Sequence, residues 1–101
     1  MTDVNAFYPN GSTVNLTAST SSGRVAVTGP GTGANVRVYN SGTDTAFIAF
    51  GDSTVTASTT TGMPVPGGAV EMFTLPPNIT NIAAITASGS PVLYFTTGQG
   101  I

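Results

Sequence analysis

Four carboxylates are the main candidates for acid–base chemistry in this chain: Asp3, Asp44, Asp52 and Glu71. Histidine, cysteine and lysine are absent from the 101 residues. Their absence removes the usual general base near neutral pH, the thiolate nucleophile and most transition-metal ligands. Serines are plentiful, but a Ser–His or Ser–Lys pair cannot be built from these residue types. We therefore expect no enzyme activity, no catalytic residues, no metal site and no cofactor.

The spacing of the carboxylates supports the same expectation. Asp44 and Asp52 flank one predicted strand, residues 45–50, which would separate them by about 20 Å. The paired carboxylates of a glycosidase stand about 5–10 Å apart. Glu71 could approach either aspartate, but solvated carboxylates or partners for the two arginines are the simpler interpretation. Calcium-binding loops carry a denser run of acidic residues than any found here.

Charge is scarce in this sequence. Charged residues make up 6% of the chain and the net charge is −2, against about 25% charged residues in an ordinary domain. A basic footprint for nucleic acid is missing, and no apolar run approaches the length of a membrane span. Low charge favours association, so neighbouring proteins are expected to cover much of the surface. The alternative is a neutral domain coated with serine and threonine.

Short alternating segments recur along the chain at intervals of about 8–12 residues, with turn residues between them. Strands are predicted at 13–18, 24–28, 36–39, 45–50, 53–58, 69–75, 81–87 and 92–97. No helix is predicted. The expected fold is all-β: an antiparallel β-sandwich, or a small jelly roll or barrel, of seven to eight short strands.

Residues 35–52 look like the centre of this fold. Strand 36–39 alternates, residues 40–44 all favour turns, and strand 45–50 is apolar on both faces. This pattern predicts a β-hairpin. A strand that is apolar on both faces lies between two covering layers or next to an interface.

Residues 1–12 are predicted to form an extended arm, and residues 13–101 a single β-sandwich domain. The arm is polar apart from Phe7, Tyr8 and their neighbours. Aromatic side chains are good interface anchors, so these two residues could hold the arm on a neighbouring subunit. Alternatively, they fold back on their own domain. No secretory signal is visible at the start of the chain.

Other interface candidates lie further along the chain. Arg37 and Tyr39 share the outward parity of their strand, and Tyr39 could stack on a sugar ring or form a cross-strand aromatic contact. Met63 and Val65 are apolar plugs in a segment where two prolines exclude a central strand. The candidate interface residues are therefore Phe7, Tyr8, Arg37, Tyr39, Met63 and Val65.

Residues 35–100 contain two runs with a family resemblance, NVRVYNSGTDTAFIAFGDS and MPVPGGAVEMFTLPPNITNIAAITASGSPVLYFTTGQG. They resemble small structural proteins of tailed bacteriophages and prophages. In those proteins an Asn-x-Gly turn leads to an apolar strand ending in Phe-Gly. A Pro-Val-Pro-Gly-Gly segment then precedes a Glu-x-Phe strand, and the chain closes on Tyr-Phe-Thr-x-Gly-x-Gly.

The resemblance implies a virion component, assembled in the cytoplasm of the bacterial host. The role it suggests is a capsid decoration or cement protein that binds the major capsid protein and stabilises the head. Such proteins are small β-rich domains, often dimers or trimers, so a homo-oligomer is expected. Two alternatives remain open: a glycan-binding module of the tail or fibre that uses Tyr39, and an adaptor that forms a ring in the head–tail connector.

Overall fold

The structure is a computed structural model that describes residues 7–29 and 34–100. This part of the chain contains eight strands and no helix, so no described helix is long and apolar enough to cross a membrane. The strands are β1 (Thr13–Thr17), β2 (Gly23–Ala26), β3 (Ala34–Asn40), β4 (Ala46–Gly51), β5 (Met63–Val65), β6 (Val70–Thr74), β7 (Asn81–Thr86) and β8 (Val92–Gln99).

The strands form two four-stranded antiparallel sheets. Sheet A has the order β1-β8-β3-β6, and sheet B has the order β2-β7-β4-β5. The first strand pairs with the last, the second with the seventh, the third with the sixth and the fourth with the fifth. This nested pairing, rolled into two packed sheets, is the topology of a jelly roll. The prediction of an all-β antiparallel sandwich is confirmed.

The predicted hairpin over residues 35–52 is wrong. Strand β3 pairs with β6 and β8, whereas β4 pairs with β5 and β7 in the other sheet. The turn between them carries the chain across the sandwich, because the fully buried Asn40 anchors it between the sheets. Its amide donates to the carbonyl oxygens of Asp44 and Val65, at 2.8 and 2.9 Å. Among the described strands, only β4 and β5 are both consecutive and paired.

The core lies between the sheets, where alternate residues of each strand point inward. Burying these apolar side chains removes them from water and supplies the main driving force for folding. The largest apolar side chains that are completely buried are Phe95, Ile48, Ile82, Leu93, Val36, Val38 and Val65. Phe50 and Phe73 close one region of the core with ring centroids 5.3 Å apart. These inward positions leave the intervening residues of each strand on the outer faces.

Residues 52–62 form a strap across the outer face of sheet B. The strap leaves β4 and reaches β2 at the opposite edge, where the Arg24 guanidinium donates to Val55 O at 2.9 Å. The Ala57 amide donates to Ser22 Oγ at 2.8 Å before the chain returns to β5. Ala83, an outward residue of β7, is completely buried. The strap explains why β4 is apolar on both faces: it lies between two covering layers, the first of the two predicted alternatives.

The strand predicted at residues 53–58 is therefore wrong. Strand β4 already pairs with β5 on one side and β7 on the other, so neither of its edges is open to another strand. The strap is held instead by side-chain bonds from β2 and by its own turns, including the Val55 amide bonded to Asp52 O at 3.1 Å. An alternating sequence alone does not provide a pairing partner.

Candidate functional site

The outer face of sheet A carries exposed apolar and aromatic side chains, except at the end where Phe7 packs over Gly98 and Asn35 is buried. The strand register sets them in two rows across all four strands: Asn15, Tyr94, Tyr39 and Val70 in one, and Thr13, Thr96, Arg37 and Met72 in the next. We call Tyr39, Val70, Met72 and Tyr94, together with Arg37, the sheet A patch. Val70, Met72 and Tyr94 are 44%, 37% and 38% exposed.

Two tyrosines form the centre of the sheet A patch. Tyr39 and Tyr94 are directly opposite each other on β3 and β8, and their rings stack with centroids 6.2 Å apart and planes inclined by 24°. Cross-strand aromatic pairs of this kind stabilise a sheet. Because β3 and β8 are the two inner strands of sheet A, both tyrosines stand on strands that are paired along both edges.

Strand β6 adds an aliphatic margin to the patch. Its sequence alternates, so that Phe73 faces the core while Val70 and Met72 face outward. Natural antiparallel sheets usually place polar residues on a solvated face, and edge strands commonly carry charge there. Exposed valine and methionine at two outward positions of an edge strand depart from this pattern. Contiguous exposed apolar side chains are typical of interaction surfaces, so this edge is a candidate for one.

The charge on this face is limited to one cation in the described structure. Arg37 is exposed between Thr96 and Met72, and the other outward residues of the four strands are neutral. Protein interfaces are enriched in tyrosine, methionine and arginine and depleted in lysine, aspartate and glutamate at their centres. The sheet A patch has this composition, which makes it the best candidate functional site on the described surface.

The structure brings three of the six predicted interface residues onto this face: Arg37 and Tyr39 lie in the patch, and Phe7 packs beside it at Gly98, an outward position of β8. Met63 is exposed, but it lies on edge strand β5 of the other sheet. Val65 is completely buried between the sheets, so its prediction as an interface residue is wrong. The pairing of Val65 with Ala46 turns its side chain into the core, even though the prolines on either side keep β5 at an edge.

Phe7 and Tyr8 lie along β8 of their own domain. The Tyr8 amide donates to Gln99 O at 2.7 Å, and the Gln99 amide donates back to Tyr8 O at 3.0 Å. Phe7 is half-buried against Gly98, where a β-carbon would lie 2.6 Å from the Phe7 ring. Tyr8 itself is 67% exposed. Residues 1–6 of the predicted arm lie outside the described residues.

Sequence reasoning missed the contribution of Val70, Met72 and Tyr94 to this face. The alternation of β6 does separate Val70 and Met72 from Phe73 and Leu75. The sequence did not show which sheet would have its outer face covered. That depends on the strap, and residues 53–58 of the strap were predicted as a strand. An apolar pair on the parity opposite to the core positions is the signal that could have identified the surface.

The carboxylates are dispersed in the described structure. Asp44 and Asp52 lie beyond opposite ends of β4, and no group of three or more acidic, histidine or cysteine side chains among the described residues could hold a metal ion. Asp52 accepts bonds from the Thr54 hydroxyl at 2.6 Å and from the Thr54 amide at 2.9 Å. These two bonds favour the ionised form and lower the pKa of Asp52 below its ordinary value of 3.8.

Replacing Thr54 with valine should raise the pKa of Asp52 back toward 3.8. The folded-state pKa lies below the unfolded value, so the Asp52 contribution to stability is present above the unfolded pKa. It is lost as pH falls through the folded pKa. Following the Asp52 carboxyl carbon by NMR during an acid titration measures the change. An unchanged midpoint in Thr54→Val would contradict the role given to the hydroxyl, and Ser53→Ala on the same turn is the control.

Comparison with known proteins gives no further information about this surface, because no protein-family model, curated protein or solved structure matches the chain. The functional argument depends on the residues and the geometry of the sheet A patch.

Proposed function

We propose that this chain is a non-enzymatic structural protein of a phage virion, a capsid decoration or cement protein that binds the major capsid protein through the sheet A patch. The observation that supports the proposal most strongly is the apolar face built by Tyr39, Tyr94, Val70 and Met72, of which the last three are exposed in the described structure. The resemblance of residues 35–100 to small phage structural proteins supplies the virion as the setting.

Binding at this face would be driven by burial of apolar surface. Fully burying one large apolar side chain contributes about 1.5–3 kcal/mol, and tyrosines at the centre of an interface are frequent hot spots. Because Arg37 is the one charge on the described face, the contact would depend little on ionic strength. A protein bound across joints between capsid subunits stabilises the assembled state, since it binds that state and not the separated subunits.

The experiment compares two preparations of phage heads: one assembled with the gene for this protein present, and one assembled after that gene has been deleted. We call the second preparation deletion heads. We expect the protein in purified heads, at a copy number that scales with the major capsid protein. Deletion heads should release DNA at a lower temperature, and added purified protein should restore the wild-type temperature. Equal heat survival of the two head preparations, or absence of the protein from purified heads, would overturn the proposal.

A variant pair tests the surface itself. The double variant Tyr39→Ala with Tyr94→Ala should bind deletion heads at least tenfold more weakly than the wild type, because it removes the aromatic pair. Asn15→Ala is the matched control, since Asn15 lies in the same row of sheet A on the neighbouring strand. Equal binding by the double variant and the control would place the capsid contact elsewhere on the molecule.

The stacked tyrosines also favour a second candidate, a glycan-binding module on the tail or fibre. An aromatic pair on the outer face of a sheet can receive the apolar face of a sugar ring. A glycan array separates the two functions: a glycan signal that disappears in Tyr39→Ala, with no binding to heads, would replace the capsid proposal. A head–tail connector adaptor would instead appear as a single ring at one vertex in images of the particle.

A further inference from the structure

We propose that two copies of this chain pair through edge strand β6 and join their A sheets into one continuous eight-stranded sheet. The proposal concerns contacts between copies of the chain and goes beyond the capsid-binding function. It stands on three features: the direction of the backbone groups of β6, the apolar side chains beside them, and the self-complementary register of the strand.

The hydrogen bonds at the two ends of β6 fix the direction of its backbone groups. The Leu75 amide donates to Ala34 O at 2.9 Å, and the Asn40 amide donates to Ala69 O at 3.1 Å. In an antiparallel ladder, alternate residues bond to the same neighbour, so the odd-numbered residues 69–75 bond to β3. The amide and carbonyl groups of Val70, Met72 and Thr74 therefore point away from β3, toward the open edge of sheet A.

The other three edge strands of the described structure are less suited to pairing. Strand β5 carries Pro64, which removes a donor. Strand β2 is tied to the strap through the side chain of Arg24. Strand β1 has open backbone groups, but the side chains beside them are Thr13, Asn15 and Thr17, which are polar. Among the edge strands that the structure describes, only β6 combines an open backbone edge with exposed apolar side chains, namely Val70 and Met72.

The register of β6 suits a two-fold pairing with itself. If Met72 of one copy lies opposite Met72 of the second copy, Val70 lies opposite Thr74 at both ends. Each of these residues then donates one hydrogen bond and accepts one across the interface. The two-fold axis of such an antiparallel pair is perpendicular to the sheet, which makes the interface isologous. Both sheet A patches therefore face the same side of the dimer.

Charge opposes this pairing only weakly. Arg37 lies on β3, one strand in from the edge, so three strand spacings, about 14 Å, separate the two arginines. This distance exceeds the screening length of about 8–10 Å near physiological salt. Glu71 faces inward and would lie opposite Phe73 of the second copy, so the two Glu71 residues become diagonal neighbours about 7–8 Å apart. Their repulsion is one reason to expect a weak dimer. Directly opposed like charges, which destabilise strand pairing, are thus avoided.

The interface would be small. A five-residue strand with two apolar side chains buries less than the roughly 800 Å² per partner of a standard stable interface. We therefore expect weak association that is complete only at high concentration. A dense array on a particle surface would supply that concentration, and a dimer would present two patches at once, which raises apparent affinity without new contacts.

The experiment measures the mass of the full chain in solution by sedimentation equilibrium over a wide concentration range. The wild type should pass from monomer to dimer. Met72→Pro should raise the dimer dissociation constant at least tenfold, because it removes an outward-pointing amide that β3 does not use. Asn15→Pro is the matched control: it removes an equivalent outward amide on the other edge of the same sheet and should leave dimerisation unchanged.

A second pair of variants guards against misfolding by proline. Met72→Lys keeps the backbone amide but sets two cations opposite each other in the dimer, and it should weaken the dimer as much as Met72→Pro does; Asn15→Lys is its control. Hydrogen exchange gives an independent readout, since the Val70, Met72 and Thr74 amides should be protected at high concentration and the Thr13, Asn15 and Thr17 amides should not.

Three outcomes would overturn the proposal. A chain that stays monomeric at all concentrations would exclude the pairing. A dimer that survives both Met72 variants but not the Asn15 variants would assign the contact to β1. A trimer would require a heterologous contact that a two-fold β6 edge cannot make. These measurements use purified protein without phage heads, so their result is independent of the test of capsid binding.

Discussion

Replacing Asn40 with alanine should lower the free energy of unfolding by about 3–5 kcal/mol. The Asn40 side chain is completely buried and makes three hydrogen bonds, to Asp44 O at 2.8 Å, to Val65 O at 2.9 Å and from the Gly42 amide at 2.9 Å. Removing the amide takes a partner from Val65 O at a buried bond and from Asp44 O and the Gly42 amide at partly buried ones. A fully buried unsatisfied group costs about 1–3 kcal/mol, and a partly buried one costs less. Chemical denaturation followed by circular dichroism measures the loss.

The cost is large relative to the whole stability, since a domain of this size has a free energy of unfolding of about 5–15 kcal/mol. Asn40→Asp is the informative second variant, because a carboxylate can accept from Gly42 but cannot donate to the two carbonyl groups. It should be at least as destabilising as alanine. Asn15→Ala, on an exposed edge position, should change stability by less than about 0.5 kcal/mol. A loss below about 1 kcal/mol in Asn40→Ala would refute the bridging role.

Replacing Phe95 with alanine should destabilise the protein by about 3–5 kcal/mol. Phe95 is the largest completely buried side chain in the core, and β8 carries it between β1 and β3. Its removal loses the free energy of burying the phenyl ring and leaves a cavity. The cavity cannot readily close, because β8 is hydrogen-bonded to a neighbouring strand on each side. Thermal unfolding and denaturant titration should agree on the size of the effect.

Tyr94→Ala is the matched comparison, because Tyr94 is the neighbour of Phe95 on β8 and faces the opposite side of the sheet. It should cost less than Phe95→Ala, because Tyr94 is 38% exposed and its removal leaves no closed cavity. The loss comprises the aromatic pair, about 0.5–1.5 kcal/mol, and the apolar area that the ring covers. The two variants should therefore separate stability from binding: Phe95→Ala weakens folding, and Tyr94→Ala weakens attachment to heads. A strong destabilisation in Tyr94→Ala would assign a structural role to the tyrosine pair.

The strands were predictable because their signal is local. Alternation at residues 13–18, 69–75 and 92–97 agrees with β1, β6 and β8 to within a few residues. Strand pairing was less predictable because it joins residues far apart in the chain. The residues of the turn at 40–44 indicate a reversal of direction, but nothing in them specifies which sheet the chain enters next. Burial of Asn40 decides that point, and burial is a property of the assembled fold.

The residues of the Pro-Val-Pro-Gly-Gly segment each have a role in the fold. Val65 enters the core, and Pro64 lies on an edge strand where its missing amide costs little. Gly68 has a φ of 80°, and the Ala69 amide bonds to Pro66 O at 3.0 Å, as a type II turn requires. The sequence predicted an extended peripheral segment here, while the burial of Val65 could be recognised only once its partner Ala46 was known.

The candidate site was predictable only in part, because some of its residues depend on contacts that are distant in sequence. The outward parity of Arg37 and Tyr39 follows from their own strand. The exposure of Val70, Met72 and Tyr94 depends on the path of the strap, which in the described structure covers sheet B and does not cross these three residues. A covering layer made by residues distant in sequence has no local signature, so the uncovered face could not be identified from alternation alone.

The nested pairing has a consequence for synthesis of the protein. Strand β1 leaves the ribosome early, yet its ladder partner β8 is made roughly 4–17 s later at the usual rate of about 5–20 residues per second. During that interval β1, β2 and β3 each lack a neighbour that the finished sheets require. The nascent chain should therefore remain open and exposed to proteases and chaperones, and then close in one late, cooperative step when β8 emerges.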